Sequence, residues 1–285
     1  MEIYTQALLN SLTLGALYAL LALGLTLLFS VMGILYFAHG AMYMFGAYIT
    51  FYIAFKLGLN YFLAAIVAIV VVAGLGYLIE KGLFKPVRGL ILQPFFIAVG
   101  LNWFSESFGY AIFGTKPVGI PDILPGGIQI AGASITWLRI ILVLAGLAVI
   151  VGLHLFLTRT KQGLSMRAFV EDPVAAALQG MSGNRVSSMA FIIAGGLAAL
   201  AGLLVAPMYA LTPTMGEHVT LNGLLIIGLG GMGSIPGALI AAFIIGFIDA
   251  FGAVTIGTEF TWGVVFLFVA VFLTIRPTGL MSTGH

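Results

Sequence analysis

Polar side chains interrupt this chain rarely, and in clusters. From Ile3 to Phe55 no charged residue occurs, a stretch more than twice the roughly 20 apolar residues that cross a ~30 Å hydrocarbon core. Reading each uncharged run against its breaks predicts membrane segments near 7–31, 34–55, 61–79, 95–113, 137–157, 187–207, 219–236, 237–256 and 260–275. These runs are continuous in Ala, Leu and Ile and studded with glycine. They lack the period-two alternation of a barrel strand, so they read as helices packed through small residues. The expected fold class is all-α: a polytopic transmembrane helical bundle of about eight or nine membrane segments, some broken or re-entrant, forming one transmembrane domain over 1–285.

Composition then removes whole classes of function. The chain has eleven Lys and Arg and nine Asp and Glu in 285 residues, 7% charged and 61% apolar, whereas ordinary soluble domains carry roughly 25% charged residues. A net charge of +2 offers no basic field for nucleic acid. The absence of cysteine excludes disulfides, thiolate catalysis and Cys-ligated metals. Met1 to Asn10 contains no Lys or Arg, so the basic n-region of a signal peptide is missing and the first segment is expected to remain.

The placement of the few charges predicts orientation. Glu80, Lys81, Lys85 and Arg88 form one cluster, and Arg159, Lys161, Arg167, Glu171, Asp172 and Arg185 form another. Seven of the eleven basic residues lie there, so the positive-inside rule makes both loops cytoplasmic. The Gly- and Pro-rich connection 114–136 between them becomes extracytoplasmic, and Arg276 puts the C-terminus inside. Three crossings before Glu80 place the N-terminus outside, and a re-entrant break near His39 is the feature that would reverse it.

Within the long hydrophilic loop 158–187, signals at both ends mark a short helix. Asp172 can cap its N-terminus, Pro173 suits the first turn, Ala175, Ala176 and Ala177 give an Ala-rich body, and Gly180 can supply a left-handed C-terminal cap. About two turns are marginal alone in water, so this helix must dock, either on its own bundle or on a partner. No G-x-x-x-x-G-K-[ST] phosphate loop occurs, so ATP is not bound by that motif.

Thr160, Gly163, Arg167, Ala168, Glu171, Asp172, the alanines 175–177 and Gly180 resemble the cytoplasmic loop of the inner-membrane permeases of branched-chain amino acid ABC importers, the LivH type. The same family is matched by Gly15-Ala16-Leu17-Tyr18, by Phe37-Ala38-His39-Gly40, by Gly230-Gly231-Met232-Gly233-Ser234-Ile235-Pro236-Gly237 and by Arg276-Pro277-Thr278-Gly279-Leu280. One departure is Tyr36, where the family usually has Asn. The resemblance implies a bacterial inner-membrane permease without catalytic residues or its own ATPase site. ATP and Mg would be bound by two cytoplasmic ATPase subunits that press on Pro173 to Gln179, with Arg167, Glu171, Asp172 and Gly180 framing the contact. It further implies a second related permease, an extracytoplasmic substrate-binding protein and alternating access. Branched-chain amino acids are the default cargo.

Isolated polar groups in the apolar segments are candidates for the translocation pathway: Tyr36 and His39 at the early break, Asn102 and Glu106 in 95–113, and Gly230, Gly231 and Ser234 at the late one. Two interrupted segments in a transporter can mark a central site; tight packing through small residues is the competing reading. A metal site is not expected, because His154, His218 and His285 show no ligand spacing with His39. Glu106 and Asp249 should each find a hydrogen-bond partner; a carboxylate relay through them would make the chain a proton-coupled secondary transporter instead. A serine hydrolase pairing His39 with Ser234 needs both in hydrogen-bond reach, and Ser234 reads as a turn residue.

Overall fold

The computed structural model describes residues 2–90, 92–121, 123–130 and 132–281. Ile91, Asp122, Ala131 and the end of the chain with His285 lie outside the described residues. The order of elements is α1 (Glu2–Met32), α2 (His39–Phe51, continued by a π-helical turn Tyr52–Lys56), α3 (Tyr61–Ile79, continued through Glu80–Phe84 and Lys85–Val87) and α4 (Gln93–Phe113). A hairpin of β1 (Gly127–Ile130) and β2 (Ala133–Thr136) follows, then α5 (Trp137–Arg159), α6 (Lys161–Glu171) and α7 (Pro173–Leu178). The chain finishes with α8 (Gly183–Val205), α9 (Met215–Gly230), α10 (Ile235–Thr255) and α11 (Thr258–Ile275).

All nine expected segments are helices. The widest boundary differences have local causes. Helix α1 starts at Glu2 rather than near 7, its extra turn carrying exposed Glu2, Ile3 and Tyr4 ahead of the buried run. Helix α2 starts at His39 rather than 34 because Gly33, at φ 68°, ends α1 and leaves 33–38 non-helical. Helix α9 stops at Gly230 because Gly231 turns at φ 101°. Six helices (α1, α3, α5, α8, α10 and α11) are long and apolar enough to cross a membrane, counted among the described residues. Helices α2 and α9 are too short, and α4 carries Asn102, Ser105, Glu106 and Ser107 along its length.

Helix α1 is the central pillar, buried from Gly15 to Leu28. Its neighbours approach through residues without bulk. A Cβ on Gly246 of α10 would lie 2.6 Å from the Gly15 amide nitrogen, and one on Gly146 of α5 would lie 3.2 Å from the Ala16 methyl. Helix α8 is held the same way: Gly76 of α3 meets the Phe191 carbonyl, and Gly46 of α2 meets the Ala199 backbone. Lipid offers no hydrophobic drive between helices, so such close backbone approach supplies the dispersion that holds the bundle.

One end of the bundle carries the N-terminus and the hairpin: the Ser134 amide donates to Gln6 Oε1 at 3.0 Å, and Arg139 donates to Asn10. The opposite end carries α6 and α7, the two basic clusters and the chain's final turn. There Ser30 donates to the Gly233 carbonyl at 3.1 Å, and Leu280 and Met281 donate to the carbonyls of Leu229 and Gly230. The N-terminus therefore lies opposite the charged loops. The break after α1 is real but does not reverse this. His39 sits beside Gly24, about 12 Å of rise back from Met32, so residues 33–38 climb into the bundle and α2 completes the crossing.

Helices α2 and α9 meet where both begin. Gly40 and Gly216 touch backbone to backbone, and a side chain on either would overlap the other. The Gly40 amide donates to Thr220 Oγ1 at 2.9 Å, while no side chain near α2 caps its first turn. One helix thus caps the other. Gly216→Ala is expected to destabilise the folded protein by roughly 1–3 kcal/mol through overpacking. Gly74→Ala, where a Cβ meets nothing within 4 Å, should be neutral; thermal unfolding of both variants in detergent checks the difference.

Candidate functional site

The charged loop 158–187 folds as its caps require. Thr160 accepts the Gly163 N–H at 3.0 Å to start α6, and Asp172 accepts those of Val174 and Ala175, both at 2.9 Å, to start α7. Pro173 occupies the first turn, and Gly180 at φ 82° closes the helix while Met181 donates back to the Ala176 carbonyl. Ala176, 3% exposed, is the face α7 turns inward. Val174 at 72% and Leu178 at 83% exposure point the other way, flanked by exposed Arg167, Glu171, Asp172, Pro173, Ala175 and Ala177. A rigid, capped helix thus presents bare apolar side chains outward. The resemblance singled out the alanines; the exposed Val174 and Leu178 were missed, and their three- to four-residue spacing is the signal that marks one face.

A polar clasp binds this loop to the bundle. Arg88 donates to buried Glu80 at 2.5 Å and to Asn184 at 2.5 Å, and Ser188 donates to the other Glu80 oxygen at 2.7 Å. The clasp joins the end of α3 to the first turn of α8, which follows α7 by four residues. The segment that follows α7 is therefore bonded to two membrane helices at once. Removing one partner of such a buried ion pair costs far more than the pair contributes net.

The sequence-expected pathway residues separate into three places. Tyr36 is buried edge-on against Phe84 and Phe191, with ring centroids 5.6 and 5.2 Å away, and its hydroxyl has no hydrogen-bond partner among the described residues. His39 packs beside Gly24 and the Leu21 backbone of α1, 6.5 Å from the Tyr36 ring. Asn102 and Glu106 lie half-buried on α4, whose Trp103 and Phe104 face outward. Glu106 has no hydrogen-bond or ion-pair partner among the described residues, because α4 leans on the bundle along one narrow edge at Pro94, Ala98, Ser105 and Gly109.

Gly230, Gly231 and Ser234 form a tight reverse turn at the charged-loop end, where Gly230 packs on Gly237 and Gly231 on Thr278 and Met281. Ser234 caps α10 by accepting the Gly237 N–H at 3.2 Å, so it is a helix N-cap rather than a plain turn residue. The turn is tied to α1 at Ser30, six residues or about 9 Å of rise from the Gly24 that touches His39. The arrangement keeps Ser234 and His39 apart, and no hydrolase pair forms.

A cavity of about 560 Å³ opens at the hairpin end, between α1, α5, α9, α10 and the start of α11. Tyr18 of α1 donates to Asp249 Oδ2 of α10 at 2.5 Å and accepts from Asn222 of α9 at 2.8 Å. Asp249 has the partner expected of it, and Glu106 does not. Arg139 and His218 stand nearer the mouth, the latter against the Trp262 ring at 4.8 Å. Apart from Asp249, these cavity residues were missed. Tyr18, Asn222 and Arg139 lie on three different helices, α1, α9 and α5, and only the tertiary fold assembles them.

A family model described as "Branched-chain amino acid transport system / permease component" matches residues 7–275. The chain is 35% identical to the high-affinity branched-chain amino acid transport system permease protein BraD of Pseudomonas aeruginosa, over 98% of this chain and 96% of that protein. It is 30% identical to LivH of Escherichia coli over the same shares, and 26% identical to LivM of Escherichia coli over 82% of this chain and 60% of that one. Its fold is similar to that of PsaBC from Streptococcus pneumoniae, solved in complex with Fab, at TM-score 0.58 and 15% identity over 98% of this chain and 93% of that one. These likenesses do not favour a proton-coupled secondary transporter. Spanned by that family model and by full-length relatives, this multi-pass membrane protein belongs to the branched-chain amino acid transport system permease family.

Proposed function

We propose that the chain is the membrane-spanning subunit of an ATP-driven importer for branched-chain or related amino acids, working by alternating access in a bacterial inner membrane. The observation that carries this reading is α7: a helix anchored inward at Ala176, with Val174 and Leu178 bare on its outer face. Cytoplasmic ATPase subunits, which would bind the ATP and Mg, dock there. Their strokes pass through Gly180 to Ser182 into α8, and through the Glu80–Arg88–Asn184 clasp into α3.

The remaining partners follow from the same reading. A second, related permease packs against the outward face of α4, around Trp103 and Phe104, so that Asn102 and Glu106 come to line the path between the two subunits. An extracytoplasmic substrate-binding protein docks on the hairpin end, over 114–136, and delivers the cargo.

Two outcomes test this. Leu178→Glu should leave the protein at normal abundance in the membrane yet cut ATP-dependent uptake and ATPase co-purification at least ~10-fold, the scale of losing one interfacial anchor. Unchanged uptake would remove α7 from the drive. Ala176→Glu is a poor probe, because it would disturb the inward anchor itself. Uptake by intact cells should also survive a protonophore while cellular ATP is held constant, and collapse of uptake under those conditions would instead support coupling through a carboxylate such as Glu106 or Asp249.

A further inference from the structure

The cavity at the hairpin end lies within one subunit, away from the α4 face assigned above to the second permease. Its floor is rich in acceptors. Among the described residues Asp249 commits only Oδ2, to Tyr18, and leaves Oδ1 without a protein partner; Asn222 spends one amide N–H on Tyr18 and its carbonyl oxygen has no protein partner there. Tyr43 lines the same floor and its hydroxyl makes no hydrogen bond within the described chain. The single charge among these groups is a carboxylate. An ammonium group with three N–H donors is the ligand chemistry such a set satisfies.

The mouth has the opposite character. Arg139 commits one guanidinium nitrogen to Asn10 and lines the cavity with the rest. Asn10 and Tyr18 stand eight residues apart on α1, about 12 Å of rise, so base and acid face each other across a gap that their own side chains shorten. The rest of the lining includes an apolar wall: Leu14, Leu17, Val205, Met208 and Val219. A carboxylate and a guanidinium opening on one cavity, with a hydrocarbon wall beside them, offer a partner to each charge of a zwitterion and a surface for an apolar side chain.

We infer that this cavity is an intrasubunit binding site for the zwitterionic amino acid, with its ammonium on Asp249, Asn222 and Tyr43, its carboxylate towards Arg139 and its side chain on the apolar wall. Tyr18 is a positioning residue, orienting Asp249 and Asn222 towards the same point. The identity of the ligand rests on the importer reading; the existence of an ammonium site does not.

Trp262 borders the cavity and reports on it. The test uses the purified permease in lipid nanodiscs, with Trp103 and Trp137 replaced by Phe so that Trp262 is the one tryptophan left. The probes are L-leucine, 3-methylbutylamine, which lacks the carboxylate, and 4-methylpentanoate, which lacks the ammonium. Leucine and the amine should change the emission saturably and the acid should not. Asp249→Asn should weaken both at least ~10-fold, the scale of a charge-assisted hydrogen bond. Arg139→Gln should weaken leucine and spare the amine, a split that simple misfolding would not produce. Tyr18→Phe, which keeps the ring, should give an intermediate loss and guards against an Asp249 variant that fails to assemble. No saturable response to either amine-bearing probe, or an equal response to the acid, overturns the proposal. ATP-dependent leucine uptake by intact cells carrying the same variants separates the two readings: uptake without a Trp262 response leaves the importer and removes the site, and an amine response without uptake does the reverse.

Discussion

The close approach of Gly40 and Gly216 determines the shape of the bundle. Without a Cβ on either residue, α2 and α9 can begin against each other inside the membrane, and Thr220 can accept the Gly40 amide proton. A buried helix end without partners is costly in a bilayer, where no water replaces them. That single meeting therefore permits two short helices in place of two full-length ones. It leaves room beside α9 for the polar cavity and sets the depth at which Tyr43, Asn222 and Tyr18 converge.

Much of this was legible in the sequence because membrane helices announce themselves by local composition. Segment boundaries, the Asp172 and Gly180 caps of α7 and the breaks after Met32 and Gly230 all depend on residues within one or two turns. The cavity was illegible for the opposite reason. Tyr18, Asn222 and Asp249 lie on three different helices, with Tyr18 separated from its partners by 204 and 231 residues, and each alone resembles an incidental polar residue. Tyr36 and His39 attracted attention as polar residues near a break, yet the tyrosine fills an aromatic cluster with Phe84 and Phe191. Rarity of a polar residue marks where chemistry is possible; only packing decides whether several such residues share one space.

The clasp around Glu80 shows how a loop can act on a bundle. The first turn of α8 and the end of α3 are bonded through Arg88, Asn184 and Ser188. Helix α3 in turn packs along α8 where Gly76 and Gly195 allow their backbones to approach. Interdigitated small-residue seams resist shear in a densely packed interior, so a displacement at one end of this pair would be carried along both helices rather than lost to sliding.

The cross-helix cap also has a consequence for biosynthesis. The Gly40 donor and its acceptor on Thr220 are 180 residues apart in the chain. At roughly 5–20 residues per second, α2 waits on the order of 10–35 s after its own synthesis before α9 emerges to complete it. During that interval the nascent first half holds an open notch and an uncapped helix end in the bilayer. The early helices are thus a client for insertion machinery until the last third of the chain arrives.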